Sequence, residues 1–181
     1  MDDTWEKNKE TTEEDLEIEQ KYDKKVASHA VEQLRPHFVF NILNQMKYQA
    51  KKDPQLVEEM VYDFANFFRG RLTVAALEQE TVLDEEIRAF KSYLKLECTM
   101  NKNMQLQMDL SYEKGVRHMS VMPGILQDFA TMLVKEEIRT TKDKRTLVVT
   151  DGLCEDHYYI HVEIKELGQT FVHPIPCIKG E

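Results

Sequence analysis

The sequence predicts an α+β fold in which a long helical hairpin precedes a smaller layer of helices and strands. Apolar residues recur about every four positions between residues 13 and 50, as they do on one face of a helix. A second stripe at helical spacing runs from Leu56 to Leu72. Residues 104–110 instead alternate between apolar and polar side chains, which is typical of a half-buried strand. The chain therefore changes from helical to mixed character near its middle.

Composition and charge exclude several classes of function. The chain has 181 residues and a net charge of −9, so nothing suggests that it binds nucleic acid. Acids dominate the first 20 residues, and we expect residues 1–15 to be an acidic lead-in that need not be ordered. Cys98, Cys154 and Cys177 are widely spaced and indicate a reducing, cytoplasmic setting. We see no membrane-spanning segment or signal peptide, although a longer parent protein is compatible with membrane attachment.

The hairpin is predicted to occupy residues 16–79. Pro36 interrupts its first helix and predicts a bend just before His37, because the ring and the missing N–H disturb the preceding turn. Asp53 and Pro54 form a typical helix start, with Asp at the N-cap and Pro at the first helical position. A single hairpin cannot bury both apolar stripes. We therefore expect two copies of the chain to form a dimeric four-helix bundle.

The helices of the second region, residues 80–181, are predicted from their start signals. Asp84 is expected to cap one helix, which then buries a face containing Phe90 and Leu94. A further helix is predicted over about residues 120–140, opened by Pro123.

Three strands are predicted in the same region, at residues 104–110, 146–150 and 158–165. Asp151 and Gly152 are expected to form the turn between the last two strands. Close to the C-terminus, two prolines argue against a helix or a central strand, and the fold of residues 169–181 stays open.

A narrow polar seam crosses the first helix of the hairpin. At about 100° per residue, Asn41 and Asn44 fall close to the line of His37, and Gln33 and Tyr48 extend that line in both directions. Apolar residues flank the seam, so the imidazole borders the buried face of the helix. A histidine in such a position is most often a boundary residue without chemistry. The order of its neighbours favours a more specific interpretation.

The run Pro36-His37-Phe38-Val39-Phe40-Asn41, with Leu43-Asn44 after it, resembles the phosphoacceptor box of the LytS-type sensor histidine kinases. The likeness covers roughly residues 30–168. Leu83-Asp84-Glu85-Glu86-Ile87 and Tyr93-Leu94-Lys95-Leu96-Glu97 look like the segment that opens the ATP-binding domain of that family. Val121-Met122-Pro123-Gly124-Ile125-Leu126-Gln127 looks like the lead into its N box. The implied fold is a helical hairpin followed by an ATPase layer of the GHKL type.

The resemblance implies roles for three residues of the box. His37 would be the phosphoacceptor, attacking a phosphoryl group and later passing it to an Asp of a response regulator receiver domain. Asn41 would orient the ring or the incoming phosphoryl group. Arg35 would add positive charge near that group, where the family more often has Asn. The implied partners are a second copy of the chain and a receiver domain.

The likeness fails at the positions that would bind ATP. Thr131 and Met132 stand where the N box has Glu and its magnesium-binding Asn, and a thioether is a poor ligand for magnesium. Lys135 matches the family, but Lys165 replaces the Asp that recognises adenine, and Lys has no acceptor. The chain also ends before a Gly-rich lid. The family implies ATP and magnesium as cofactors, whereas this sequence predicts a degenerate, truncated ATP site and impaired ATP binding.

Three functions follow from these observations. The first is two-component signalling through His37, by phosphotransfer or in a pseudokinase role, with self-phosphorylation in doubt. The second is a non-catalytic dimeric scaffold that regulates a kinase or a response regulator. The third is metal binding by His157 and His161. Their spacing along a strand separates them by about 13 Å, too far to share an ion, and neither Cys154 nor His173 completes a known pattern. We therefore predict no metal site.

Overall fold

The structure, a computed structural model, describes residues 36–76, 80–111, 114–154 and 157–176. The acidic lead-in, the first part of the first predicted helix and its expected bend before His37 lie outside these ranges. Arg35, Gln33 and Cys177 lie outside them as well.

The hairpin is present as two helices, α1 (Pro36–Gln49) and α2 (Pro54–Ala75). The Asp53 carboxylate accepts a hydrogen bond of 3.0 Å from the Leu56 backbone N–H, so the predicted helix start is confirmed. The buried residues of α1 lie four positions apart, as its stripe predicts; they are Phe38, Ile42 and Met46.

The central helix of the fold is α3 (Leu83–Met100), which follows the short strand β1 (Thr81–Val82). The predicted cap at Asp84 is wrong. Val82 occupies the N-cap and makes no side-chain capping bond, whereas Asp84 lies in the first turn and pairs with Arg88. The Leu83 N–H is bonded to the Met119 carbonyl at 3.0 Å, so a contact from a distant segment sets the start of the helix.

The helix predicted over residues 120–140 is shorter and differently built. Ser120–Val121 form strand β3, which pairs antiparallel with β1, after a short helix α4 (Lys114–Arg117). Helix α5 (Ile125–Leu133) begins only after Gly124, whose φ of 86° is left-handed, and it continues into a π-helical turn, Val134–Ile138.

The main sheet has four strands in the order β2-β4-β5-β6, with β2 and β4 parallel and the other pairs antiparallel. Strand β2 (Met104–Asp109) matches its prediction. Residues 147–154 of β4 (Arg145–Cys154) pair with the whole of β5 (His157–Ile164), so the turn predicted at Asp151-Gly152 is wrong. The Asp151 carboxylate instead accepts from the Ser111 N–H at 2.9 Å and the Tyr158 hydroxyl at 2.7 Å, which holds it within the strand.

Strand β6 (Gln169–Pro176) forms one edge of this sheet. Its place at the edge is compatible with Pro174 and Pro176, since an edge strand can lack backbone donors on its open side.

One apolar core joins the hairpin to the sheet through α3, which packs on α2 and α5. Helix α2 packs tightly on α3 at Gly70, where an added Cβ would lie 2.6 Å from the Ala89 Cβ. None of the helices in the described ranges is long and apolar enough to cross a membrane. The α+β prediction is confirmed, while the dimeric bundle and the family-type ATPase layer stay predictions.

Candidate functional site

The polar seam of α1 lies on the surface. His37, Asn41, Asn44 and Tyr48 are all exposed, so an imidazole at the first turn of α1 is open to a partner molecule. At the far end of the seam the Lys52 ammonium lies 3.6 Å from the centre of the Tyr48 ring. A hydrogen bond with Lys52, together with its charge, lowers the pKa of Tyr48.

Phe38, the residue after His37, fixes α1 against the rest of the molecule. Its ring is 3% exposed and meets the rings of Phe67 and Tyr93 edge-on, with centroids 5.2 and 5.3 Å away. Phe67 and Tyr93 stack on each other at 4.9 Å. Each such pair contributes about 0.5–1.5 kcal/mol beyond the burial of its area. Phe38 therefore anchors the turn of α1 that carries His37 to α2 and α3.

Asn41 is placed to choose which nitrogen of His37 is available. Its Nδ2 lies 3.2 Å from His37 Nδ1. An amide nitrogen only donates, so in this arrangement Nδ1 accepts and a neutral ring carries its proton on Nε2. Rotating the amide by 180° presents Oδ1, which would accept from a protonated Nδ1 and leave the Nε2 lone pair free to attack. One side chain can thus select the tautomer that is nucleophilic at the outer nitrogen.

The residues that replace the N box lie on α5 and the π-helical turn. Thr131 is half-buried and accepts a 3.3 Å hydrogen bond from Arg71 Nη2, so its hydroxyl belongs to the contact between α2 and α5. The Met132 thioether is 37% exposed. Lys135 is exposed and pairs with Glu136 at 3.4 Å. These side chains offer no set of hard oxygen ligands for magnesium.

Lys165, at the position of the adenine-recognising Asp, lies in a turn of residues 165–168. This turn leads from β5 directly into β6, and Gly168 adopts a φ of 60° within it. Its Glu166 carboxylate accepts from the Thr146 N–H at 2.7 Å and the Thr146 hydroxyl at 2.8 Å. The backbone donor of Thr146 lowers the pKa of Glu166. The turn is therefore bonded to the first residues of β4, and the Lys165 side chain is exposed to solvent.

The sequence did not indicate that Glu86 is a buried carboxylate that positions α5. Glu86 is 2% exposed and accepts from the backbone N–H groups of Gly124 at 2.8 Å and Leu126 at 3.2 Å. It thereby caps the helix that carries the N-box positions. Burial raises the pKa of Glu86, although these two backbone donors act in the opposite direction.

The other family-like segment of α3 supplies a second buried carboxylate. Glu97 is 3% exposed and receives two hydrogen bonds from the guanidinium of Arg139, just beyond the π-helical turn. Nearby on α3, Ser92 donates to Asp63 of α2 at 2.7 Å. The likeness of both segments to the family was visible in the sequence, but nothing in it identified the partners of these side chains.

The histidines of β5 lie on its exposed face. His157 and His161 are exposed on one face of the strand with Tyr159 between them. Within the described residues no group of three or more His, Cys, Asp or Glu side chains could hold an ion.

Comparisons with known proteins agree in pointing to histidine kinases. Residues 27–104 match the sequence model of the histidine kinase family, a span that contains α1, α2 and α3. The sensor protein LytS of Enterococcus faecalis is 25% identical over 137 residues, which is 76% of this chain and 23% of that protein. A Staphylococcus aureus protein named sensor histidine kinase/phosphatase LytS is 23% identical over 138 residues, again 76% of this chain and 23% of the relative.

The chain spans about a quarter of the length of the curated relatives it matches, so these similarities cover only part of their architecture. The matched part nevertheless contains the box around His37 and the two family-like segments of α3. Over three quarters of its length, this chain is similar to LytS-type sensor histidine kinases.

Proposed function

We propose that the chain is a two-component signalling protein in which His37 exchanges a phosphoryl group with a response regulator receiver domain, while its own ATP chemistry is impaired. The observation that carries this proposal is the exposed imidazole of His37 with Asn41 3.2 Å away. Phosphotransfer needs only an accessible, correctly oriented imidazole and a phosphorylated partner.

The residues at the nucleotide positions support the second half of the proposal. Magnesium prefers oxygen ligands, and the chain offers the exposed thioether of Met132 where the family has Asn. Adenine recognition needs an acceptor, and the chain offers Lys165. A phosphoryl group on His37 would then come from a receiver domain or a catalytic partner subunit. A Staphylococcus aureus relative is named as both kinase and phosphatase, which is consistent with a chain that takes phosphate from a receiver domain.

The hairpin also offers a surface for a second copy of the chain, which the proposal includes. Large apolar side chains on α1 and α2 are exposed, among them Phe40 at 64% and Tyr62 at 65%. Where such side chains of the two helices form one patch, that patch marks an interaction site. Sedimentation velocity tests the dimer, and a monomer at all protein concentrations would contradict it.

The experiment supplies labelled phosphate by two routes. The chain is incubated with radiolabelled magnesium-ATP and, separately, with a receiver domain phosphorylated by radiolabelled acetyl phosphate. We expect label on the chain only from the receiver, with loss of that label in His37→Gln and retention in the matched exposed-histidine variant His118→Gln. Asn41→Leu should slow transfer about tenfold by removing the control of the tautomer.

Two other outcomes are informative. Label from ATP on His37 would show that the altered N box still binds nucleotide, and calorimetry with magnesium-ATP provides an independent measurement. Label from neither source would favour the alternative function, a non-catalytic dimeric scaffold that regulates a kinase or a response regulator.

A further inference from the structure

Strand β2 is an open edge of the main sheet. It ends the order β2-β4-β5-β6, and no other strand of the described residues lies on its outer side. The Asn103 carbonyl, just before β2, accepts from the Arg145 N–H of β4 at 2.9 Å. Because backbone groups point alternately to the two sides along a strand, those of Leu106 and Met108 point away from β4. Their N–H and C=O groups therefore face the open edge, where a further strand can pair.

The two edges of the sheet differ in how they are protected. At the other edge, β6 carries Pro174 and Pro176, which have no backbone N–H to offer a further strand. Strand β2 reads Met-Gln-Leu-Gln-Met-Asp, without a proline or a positively charged residue. Proline and lysine are common means by which natural edge strands avoid pairing with another chain. Strand β2 lacks both, so its edge is open to pairing.

A groove of about 490 Å³ lies beside this edge. Its walls are β2, the N-terminal half of α2 and the C-terminal half of α3. Leu56, Leu106 and Met108 line the groove and are only half-buried, so part of their apolar surface is open to a ligand. An extended peptide that pairs with a sheet edge places alternate side chains into pockets beside that edge. The edge and the groove together therefore fit an extended peptide.

The charges of the groove favour a basic peptide. Glu59 lines the groove and is exposed, and a second cavity of about 420 Å³ extends along α2 past the exposed Glu58. Asp63 also lines both cavities but is buried, and Lys95 is the one positively charged residue that lines either. Negative side chains therefore outnumber positive ones, which favours a peptide that carries Lys or Arg. A second copy of β2 fits less well, because it has no positive residue and ends in Asp109.

We propose that the β2 edge and this groove bind an extended segment of a partner protein, in which apolar residues alternate with polar ones and at least one Lys or Arg is present. The segment would pair through its backbone with Leu106 and Met108, place apolar side chains against Leu56, and present its cation to Glu59. No residue of α1 lines either cavity, so this surface is separate from the seam around His37. The interaction goes beyond the proposed phosphotransfer and does not require it.

Fluorescence anisotropy with designed peptides tests the proposal on the full chain. The probe is a fluorescein-labelled heptapeptide in which Val, Leu and Val alternate with Thr between terminal Lys residues. We expect a Kd below about 1 mM, and about tenfold weaker binding at low salt when the terminal residues are Glu. N-methylation of one alternate set of amides should weaken binding about tenfold or more, whereas N-methylation of the other set should not, because only one set faces β2. Equal binding of the two methylated peptides, or no binding of the probe at about 1 mM, would overturn the proposal.

Two substitutions at one position test the role of the backbone edge. Met108→Pro removes the side chain and an outward N–H, whereas Met108→Ala removes only the side chain. The proline variant should therefore bind the probe about tenfold more weakly than the alanine variant. Probe binding that weakens as the chain concentration rises would place a second copy of the chain at the edge and contradict the proposal.

Charge reversal gives a test that does not depend on how the proline variant folds. Glu59→Lys, at an exposed position, should reverse the preference between the peptides with terminal Lys and terminal Glu. The matched control Glu163→Lys, exposed on β5 and outside both cavities, should leave the preference unchanged. An unchanged preference in Glu59→Lys would refute the assigned orientation of the peptide. His37→Gln should bind the probe as the parent chain does, which separates this result from the phosphotransfer assay.

Discussion

Helices α1 and α3 both carry segments that resemble the histidine kinase family, but the polar residues of these segments lie in opposite environments. On α1 the polar residues His37 and Asn41 face solvent and contact each other. On α3 the polar residues Glu86 and Glu97 are buried and hold α5 and the residue after its π-helical turn. The first pair is available for chemistry, whereas the second pair builds the scaffold.

This difference explains how one part of a family pattern can be kept while another is altered. The contacts of Glu86 are with backbone N–H groups, so they do not depend on which side chains α5 presents to solvent. An exposed side chain of α5, such as that of Met132, can therefore change without disturbing the placement of its helix. We therefore expect substitutions of buried scaffold residues to cost more stability than substitutions of exposed surface residues.

The largest effect on stability is expected from Glu86→Ala. The substitution leaves the buried N–H groups of Gly124 and Leu126 without their acceptor, and we expect the free energy of unfolding to fall by about 2–4 kcal/mol. Urea denaturation measures the change. The matched control is Glu85→Ala, at an exposed neighbour bonded only to Thr81 among the described contacts, which should cost no more than about 1 kcal/mol. Similar losses in both variants would contradict the scaffold role.

Glu86 also predicts a pH dependence. Its pKa is raised in the folded chain from an ordinary value of 4.5, chiefly by burial. A carboxyl whose pKa is raised by folding contributes most below its unfolded pKa and loses that contribution as the pH rises through the folded pKa. Measured against Glu86→Gln, the parent chain should therefore be relatively most stable below pH 4.5 and become relatively less stable as the pH rises. A relative gain with rising pH would show that the backbone donors outweigh burial.

Local signals predicted the parts of the fold that depend on neighbours in sequence. The stripe of α1 and the cap at Asp53 follow from spacing and side-chain reach, and both are present. Asp84 and Asp151-Gly152 carry equally good local signals, but distant partners override them. The bond from the Leu83 N–H to the Met119 carbonyl sets the start of α3, and the ladder with β5 carries β4 past the expected turn.

For the same reason, the sequence predicted the local contacts of the candidate site but not its contacts with other helices. Helical spacing alone placed Asn41 beside His37, because a turn of helix brings them together. It could not show that Phe38 packs on Phe67 and Tyr93, since those contacts come from two other helices. Arg71 was missed for the same reason: its bond to Thr131 joins residues 60 positions apart.

An intermediate effect is expected at Gly70, where α2 packs tightly on α3. Gly70→Ala would bring the new Cβ to 2.6 Å from the Ala89 Cβ, and such overpacking costs about 1–3 kcal/mol. The higher helix propensity of Ala returns about 1 kcal/mol, so a net loss of about 1 kcal/mol is expected. Gly152→Ala, with nothing within 4 Å, is the control and should change stability by less than about 0.5 kcal/mol. A stabilised Gly70→Ala chain would mean that the two helices can separate without cost.

The smallest effect is expected from Asp84→Asn, although Asp84 lies within the same family-like segment as Glu86. Its carboxylate is 2.6 Å from Arg88 Nη2, but the two side chains are 31% and 44% exposed. Water and salt screen a pair of this kind, and pairs four residues apart on a helix contribute about 0.3–0.5 kcal/mol. The loss should disappear in high salt, because screening already removes most of the attraction. If Asp84→Asn lowered the free energy of unfolding by more than about 1 kcal/mol at every salt concentration, exposure would not distinguish scaffold residues from surface residues on α3.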